Sequence, residues 1–499
     1  MGMEMELAVL SQVPQALMIV LDPLVLLWIA AGTIVGILFG AAPGLTATTA
    51  VALFTPVTFY MPLNTSLAFL MGIYCGGYYA GSIPAILINT PGAPGNAATT
   101  MDGYPMARRG EAGEALGHSI ISSWLGGTIS AFALLFFAPL IGGFALKFGA
   151  PEYFSVAMLG LVCIAGVSGR SIIKGIAGAL IGMIMGVVGM DPIVGVPRFT
   201  FDSVNLMGGV SLIPALVGLF AITEVLSKAE QGDDDGSNII THISNKLPDL
   251  KLYWIYKWML LKSTLIGIII GAIPGTGPTI SSWMAYNEAK TTSKHPAEFG
   301  KGCPEGIMAA ESSNNAVTGG ALIPLLTLGV PGDTVTAVLL GALMIQGLTP
   351  GPTLIVERFD IVALLLWLLI FANVAMLLAG LIGVRFFPYI LKMPMKILMP
   401  IVSVLCITGG FAVNNSFFDA MMVVGIGLFG FVLLKFGFPV PPIVLGLILG
   451  PIIEPNMRRA LMGSNMDPLV FVTSPISAFI LALTVLLVVV MRMKNKQAS

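Results

Sequence analysis

Four Pro-Gly pairs stand inside otherwise apolar stretches of this chain: Pro43-Gly44, Pro91-Gly92, Pro274-Gly275 and Pro331-Gly332. Proline removes a backbone donor and glycine admits left-handed backbone, so each pair ends a helix and leaves amides and carbonyls without intrahelical partners. Freed carbonyls suit an alkali cation such as Na⁺, and freed amides at a helix N-terminus suit a carboxylate. The side chains around the breaks are small and oxygen-rich: Thr46; Asn89, Thr90 and Asn96; Thr276; and Thr327, Asp333 and Thr334. Just upstream of the fourth break, Ser312, Ser313, Asn314 and Asn315 follow Glu311 in a small, apolar helix. Four consecutive polar residues wind around a helix, so part of this run faces a cavity instead of lipid.

We read Pro43, Gly44, Thr46, Asn89, Thr90, Pro91, Gly92, Asn96, Pro274, Gly275, Thr276, Asn314, Asn315, Pro331 and Gly332 as candidates for holding a substrate. Ser312, Ser313, Thr327, Asp333 and Thr334 are candidates for holding a cation, Na⁺ among them. The competing role for any single hydroxyl is a bond to a neighbouring helix, and for Asp333 a cap on a helix N-terminus.

These residues need a scaffold, and composition restricts it. Of 499 residues 56% are hydrophobic and 10% charged, against about 25% charged in an average soluble domain. About 20 residues cross a bilayer core of about 30 Å, which leaves room for about 12 or more membrane segments. The expected fold is an all-α polytopic membrane protein, and the 59 Gly and 33 Pro suit broken or re-entrant helices better than plain rods. A net charge of -1 speaks against a nucleic-acid partner. The four cysteines are scattered with no CxxC pair, so neither a zinc site nor a disulfide framework is expected. No Lys or Arg precedes the first apolar stretch, so no cleavable signal peptide is apparent.

The chain is also similar to itself. GILFGAAPG at 36–44 matches GIIIGAIPG at 267–275 in six of nine positions at an offset of 231, and IPAILINTPG at 83–92 aligns with IPLLTLGVPG at 323–332. A third, weaker match aligns 151–166 with 394–409 in the same order. We divide the chain into a first transmembrane repeat (1–230), an acidic linker (231–250) containing Asp233, Asp234 and Asp235, a second repeat (251–467), and a C-terminal helix with a basic tail (468–499). Lysines in and after the linker, with Arg492, Lys494 and Lys496 at the end, place linker and C-terminus in the cytoplasm and the N-terminus outside. Basic residues change sides between equivalent loops: Lys290, Lys294 and Lys301 face an uncharged counterpart in the first half, whereas Arg108 and Arg109 face one in the second. Repeats threaded in opposite directions produce this pattern, which is common in secondary transporters. Arg458 and Arg459 fall on the wrong side of the scheme. Asp102 near a loop, and Asp22, Asp191, Asp202, Asp360 and Asp419 near segment ends, are expected to be solvated. Tyr74, Tyr78 and Tyr79 suit either a pathway lining or an aromatic belt.

Together the motifs resemble the large membrane subunit of the tripartite tricarboxylate transporters. The likeness covers nearly the whole chain and rests on GAAPGL at 40–45, INTPGAPG at 88–95 with DGYP at 102–105, YNEAK at 286–290, EFGKG at 298–302, Asn314-Asn315, and PLLTLGVPG at 324–332. The resemblance implies a permease of the bacterial inner membrane that takes up carboxylates by Na⁺ or H⁺ coupling. Its implied partners are a small transmembrane subunit and a periplasmic solute-binding protein, with a homo-oligomer as a further option. Many relatives carry another glycine where this chain has Thr46, so the resemblance does not extend to a particular acid. A passive anion channel is the alternative function. An intramembrane enzyme is remote, since His118, His242 and His295 form no HExxH pair, and a primary pump is disfavoured because Gly300-Lys301 lacks the Ser or Thr of a phosphate-binding loop. No cofactor is expected beyond the coupling ion. The charge scheme predicts that Ser237→Cys in the linker is alkylated by a membrane-impermeant maleimide in inside-out vesicles and not in intact spheroplasts; the reverse labelling would invert the topology.

Overall fold

In lipid a backbone has nothing to bond but itself, so apolar runs of Leu, Ile, Val, Ala and Gly become helices. The computed structural model describes residues 12–42, 44–167, 171–231, 239–240, 243 and 248–498. Pro43, Arg170, His242, Lys246 and the linker aspartates Asp233, Asp234 and Asp235 lie outside these. The protein is an all-α, multi-pass membrane protein. Eight helices among the described residues are long and apolar enough to cross a membrane, judged by length and composition, and five shorter apolar helices of 10–17 residues accompany them. The only sheet among the described residues is a hairpin pairing Gly189 with Arg198 and Met190 with Pro197.

The elements that matter for the breaks are α1 (Pro23–Ala41), α2 (Ala47–Thr58), α3 (Leu63–Ala80), α4 (Ser82–Ile88) and α5 (Ala112–Ala145) in the first part of the chain. Their later counterparts are α6 (Lys257–Ala272), α7 (Gly277–Thr292), α8 (Pro304–Leu328) and α9 (Thr334–Ile345). The shortness of α2 and α9, 12 residues each, follows from the breaks that precede them. Gly44 and Gly275 both sit at φ 83°, in the left-handed region that a side chain strains. Asn89 at φ 58° ends α4 and Gly329 at φ 71° ends α8, and the following amides of Thr90 and Val330 return to the carbonyls of Pro84 and Pro324 at 3.3 Å each.

Glycine lets these helices touch through their backbones. A Cβ on Gly36 or Gly40 of α1 would lie 2.4 Å from the carbonyl oxygen of Ile73 or Gly77 of α3. At Gly267 and Gly271 of α6 it would lie 2.3 and 3.0 Å from those of Ser313 and Val317 of α8. The glycines of these contacts are 231 residues apart and their partners 240, the offsets of the two strongest sequence matches. The breaks complete the pattern: a Cβ on Gly92 would meet the carbonyl of Gly40 at 2.4 Å, and one on Gly332 that of Gly271 at 2.5 Å.

Outside the spans, the loop at 187–211 is pinned by side-chain ion pairs. Asp191 accepts from Arg458 at 2.6 Å and from the amides of Ile193 and Val194, and the Arg458 hydrogen bond holds its carboxyl down to about 2. Arg458 also bonds Glu454 at 2.7 Å, so one of the two cations that disagreed with the charge scheme is ion-paired, while Arg459 is exposed.

A Cβ at Gly40 would meet a backbone that cannot give way, the carbonyl of Gly77 at 2.4 Å, and the Cβ of Ala80 at 2.9 Å. Gly40→Ala is expected to cost about 1–3 kcal/mol, as overpacking does, whereas Gly425→Ala, with nothing within 4 Å, costs none. Thermal melting of the two purified variants checks this.

Candidate functional site

The four breaks converge on one cavity of about 520 Å³. Thr46 and Thr48 come from the first break, 93–96 from the second, Gly275 and Thr276 from the third, and Asp333 and Thr334 from the fourth. Tyr78 of α3, Asn314 of α8, and Phe220, Thr223 and Glu224 of the span Leu212–Glu230 close the wall. The volume falls in the range of small-molecule sites, about 300–1,000 Å³.

Local rules put these groups there. Thr46 caps α2 by accepting from the Thr49 amide at 3.2 Å. Asp333 caps α9: its Oδ1 accepts from the Thr336 amide at 2.7 Å, and the Thr336 hydroxyl accepts from the Asp333 amide at 2.9 Å. The other carboxylate oxygen, Oδ2, accepts from the Tyr74 hydroxyl at 3.0 Å and from that of Tyr78. Asp333 is therefore a cap and a cavity wall at once. The Thr48 and Thr334 hydroxyls meet at 2.9 Å, joining the tips of α2 and α9. The Gly275 amide donates to the Gly332 carbonyl at 2.8 Å, tying the third break to the fourth. Asn96 and Asn314 both donate through Nδ2 to the Tyr78 carbonyl at 3.2 Å.

The charge of the lining is one-sided. Asp333 and Glu224 contribute carboxylates, and no Lys, Arg or His of the described residues lines the cavity. Positive potential comes instead from backbone: α2, α7 and α9 all begin at the wall, with Ala47, Gly277 and Thr334 lining it. Lys228 stands beside the first break, where a Cβ on Gly44 would fall 1.9 Å from its Cε.

Of the residues singled out in the sequence, Thr46, Asn96, Gly275, Thr276, Asn314, Asp333 and Thr334 line the cavity. Asn89 and Thr90 are exposed and away from it, and Pro91 and Gly92 are half-buried at the α4 end. Pro274, Pro331 and Gly332 are buried behind the lining. Thr327 and Ser312 bond carbonyls of their own helix, those of Ile323 and Ala309, while Ser313 bonds Ser281 at 3.1 Å and Asn315 bonds Ser123 at 2.7 Å. The polar run thus spreads around α8 and presents Asn314 alone to the cavity. Tyr74, Tyr78 and Tyr79 are all buried, which excludes an aromatic belt.

Three aspartates depart from the expectation of solvation: Asp102, Asp191 and Asp419 are buried, whereas Asp22, Asp202 and Asp360 are exposed. Asp419 takes hydrogen bonds from Ser211 at 3.1 Å and Asn414 at 2.7 Å. Asp102 grips the loop before α8: Oδ1 accepts from the amides of Gly300, Gly302 and Cys303 at 2.8, 2.9 and 2.8 Å, and Oδ2 from the Tyr286 hydroxyl at 2.8 Å. Arg109 adds a bond to the Gly302 carbonyl at 2.8 Å. No side-chain pattern in the sequence signalled this clasp, because three of its four partners are backbone amides.

Comparison with known proteins fixes the class of molecule. The model of the tripartite tricarboxylate transporter TctA family matches residues 26–445. The chain belongs to the TctA family. A TctA-family chain is a transport protein of a tripartite system that also comprises a binding protein and a small subunit, and it is not an enzyme. An uncharacterized 52.8 kDa protein in the TAR-I ttuC' 3' region of Agrobacterium vitis is 36% identical over 474 residues, 94% of this chain and 93% of that protein. An uncharacterized protein in the TAR-II ttuC' 3' region of the same organism is 37% identical over 227 residues, 45% of this chain and 92% of that protein. No solved structure matches the chain significantly.

Asp102→Asn keeps the shape of the clasp and removes the charge behind three backbone N–H bonds, two of them buried. We expect it to cost about 1–3 kcal/mol, as hydrogen bonds to charged groups do, and to speed tryptic cleavage after Lys301 at neutral pH. Unchanged melting and cleavage would show the clasp to be idle.

Proposed function

We propose that the chain is the membrane permease subunit of a secondary-active, binding-protein-dependent importer of tricarboxylates or related carboxylates, driven by a Na⁺ or H⁺ gradient through alternating access. The observation that carries this is the meeting of all four breaks in one cavity whose positive potential comes from helix N-termini and whose charged side chains are acids. Such a site favours an anion only in company with a cation, which is the chemistry of a symporter. Asp333 and Thr334 offer oxygens to that cation, and Thr46 and Asn314 offer donors to the carboxylates.

The paired glycine contacts, repeating at offsets of 231 and 240, support two repeats at 1–230 and 251–467, and the reversal of basic loops supports their inversion. Movement of one against the other would expose the cavity to either side in turn. On this reading the protein sits in a bacterial inner membrane with its N-terminus periplasmic and its linker and C-terminus cytoplasmic. It works with a small transmembrane subunit and a periplasmic solute-binding protein, singly or as a homo-oligomer.

The test is uptake of labelled citrate and other carboxylates into proteoliposomes holding this chain and its small membrane partner. Accumulation is expected to require both the binding protein and the cation gradient, and equilibration without a gradient would favour a passive anion channel. Asn314→Ala, which removes a donor from the cavity wall, is expected to lower uptake about tenfold, the equivalent of one lost hydrogen bond.

A further inference from the structure

One ionisable group in the protein interior is neither in the cavity lining nor part of a cap. Glu311 of α8 is fully buried. Its Oε1 accepts from Asn96 Nδ2 at 3.2 Å and from the Thr99 hydroxyl, and its Oε2 accepts from the Ser123 hydroxyl at 3.1 Å. All three donors are neutral, and no Lys, Arg or His among the described residues forms an ion pair with it. A carboxylate buried without a cation is costly in its charged form, and in membrane proteins such groups mark ion and proton pathways.

We propose that Glu311 carries the coupling proton of transport, binding it at Oε2 and thereby loosening the second break. The proposal rests on the importer reading of the cavity. Asn96 Nδ2 is a fixed donor, because it also bonds the Tyr78 carbonyl at 3.2 Å, so Oε1 must remain an acceptor. Oε2 faces a hydroxyl, which can reverse its role. When a proton binds Oε2, the new O–H donates to Ser123 Oγ and the Ser123 hydrogen turns away. The acceptor is on Asn315: its Nδ2 donates to Ser123 at 2.7 Å and its Oδ1 is buried with no hydrogen-bond partner, so a half-turn of the side-chain amide exchanges the Nδ2–Ser123 bond for one from the Ser123 hydroxyl to Oδ1. Buried polar atoms are seldom left unpaired without a reason, and here the spare acceptor completes the protonated arrangement. The turn of the amide also gives up the 3.5 Å contact of Nδ2 with the Glu311 carbonyl, and release of the proton restores the first arrangement.

The site is placed to act on the cavity. Asn96 and Thr99 belong to the segment after the second break, and Asn96 lines the cavity itself. An ionised Glu311 holds that segment against α8 by two bonds, and neutralisation weakens both. Other titratable groups on the packed elements have their own partners. Asp102 bonds the loop at 300–303 and Tyr286, His118 bonds Tyr253 and neighbours Glu114, Asp333 bonds Tyr74 and Tyr78, and Lys262 bonds Glu288. Tyr79 of α3 is also buried, with no hydrogen-bond partner for its hydroxyl.

The test uses proteoliposomes with the chain, its small membrane partner and the binding protein, membrane potential clamped at zero, and a pH-sensitive dye inside. Wild-type protein should accumulate carboxylate about tenfold per proton for each unit of pH gradient, because one unit is a tenfold ratio of protons, with dye acidification in step. Glu311→Gln should lose that accumulation and the acidification while still exchanging external for internal carboxylate. Glu311→Asp, which keeps a proton site but shortens its reach, should accumulate with a displaced pH midpoint, and it decides the matter if the Gln variant does not fold. Accumulation by Glu311→Gln equal to wild type, a pH profile of Glu311→Asp identical to wild type, or wild-type accumulation that responds to Na⁺ and not to pH would each overturn the proposal while leaving the importer intact. Absence of both accumulation and exchange in wild type would instead strike the importer reading itself.

Discussion

A helix broken in a membrane must find partners for its loose amides and carbonyls inside the protein, and that constraint organises this molecule. At the third and fourth breaks the Gly275 amide reaches the Gly332 carbonyl, and at the second the Gly92 amide reaches the Gly81 carbonyl at 3.0 Å. Such bonds require backbones in near contact, which is why Gly40 and Gly271 lie under Gly92 and Gly332. The glycines are therefore not filler between apolar residues. They set the distance at which one break can repair another, and the cavity is the space left where the repaired ends do not quite meet.

Around that space, Tyr78 joins what would otherwise be separate parts. Its hydroxyl donates to Asp333 at the start of α9, and its carbonyl collects the amides of Asn96 and Asn314. A shift of α3 is thus felt at the second break, at the fourth, and on α8. The Asp102 clasp lies on another route between the two halves of the chain, from the segment after the second break to the loop before α8.

The breaks could be found in the sequence because Pro-Gly inside an apolar stretch has few structural meanings, and Asp333 next to such a pair pointed to both of its roles. Asp102 could not. Its partners are backbone amides about 200 residues away, and backbone groups leave no mark on the side-chain pattern. Asn315 and Asn314 are neighbours in sequence with opposite surroundings, because one residue turns a helix by about 100°, and no sequence pattern said which of them would face the cavity. Asn89 and Thr90 looked like the equivalents of Gly329 and Val330, and they are, but the equivalence is of caps and not of lining.

The Thr48–Thr334 bond and the Asp102 clasp differ in what replaces them when they part. Two hydroxyls that line a cavity can exchange each other for water at little cost, while a buried carboxylate separated from three amides and a phenol loses far more. The contact between halves therefore has a zip at one end and a rivet at the other. Pulled apart, these two contacts would give way first at the cavity and last at the clasp.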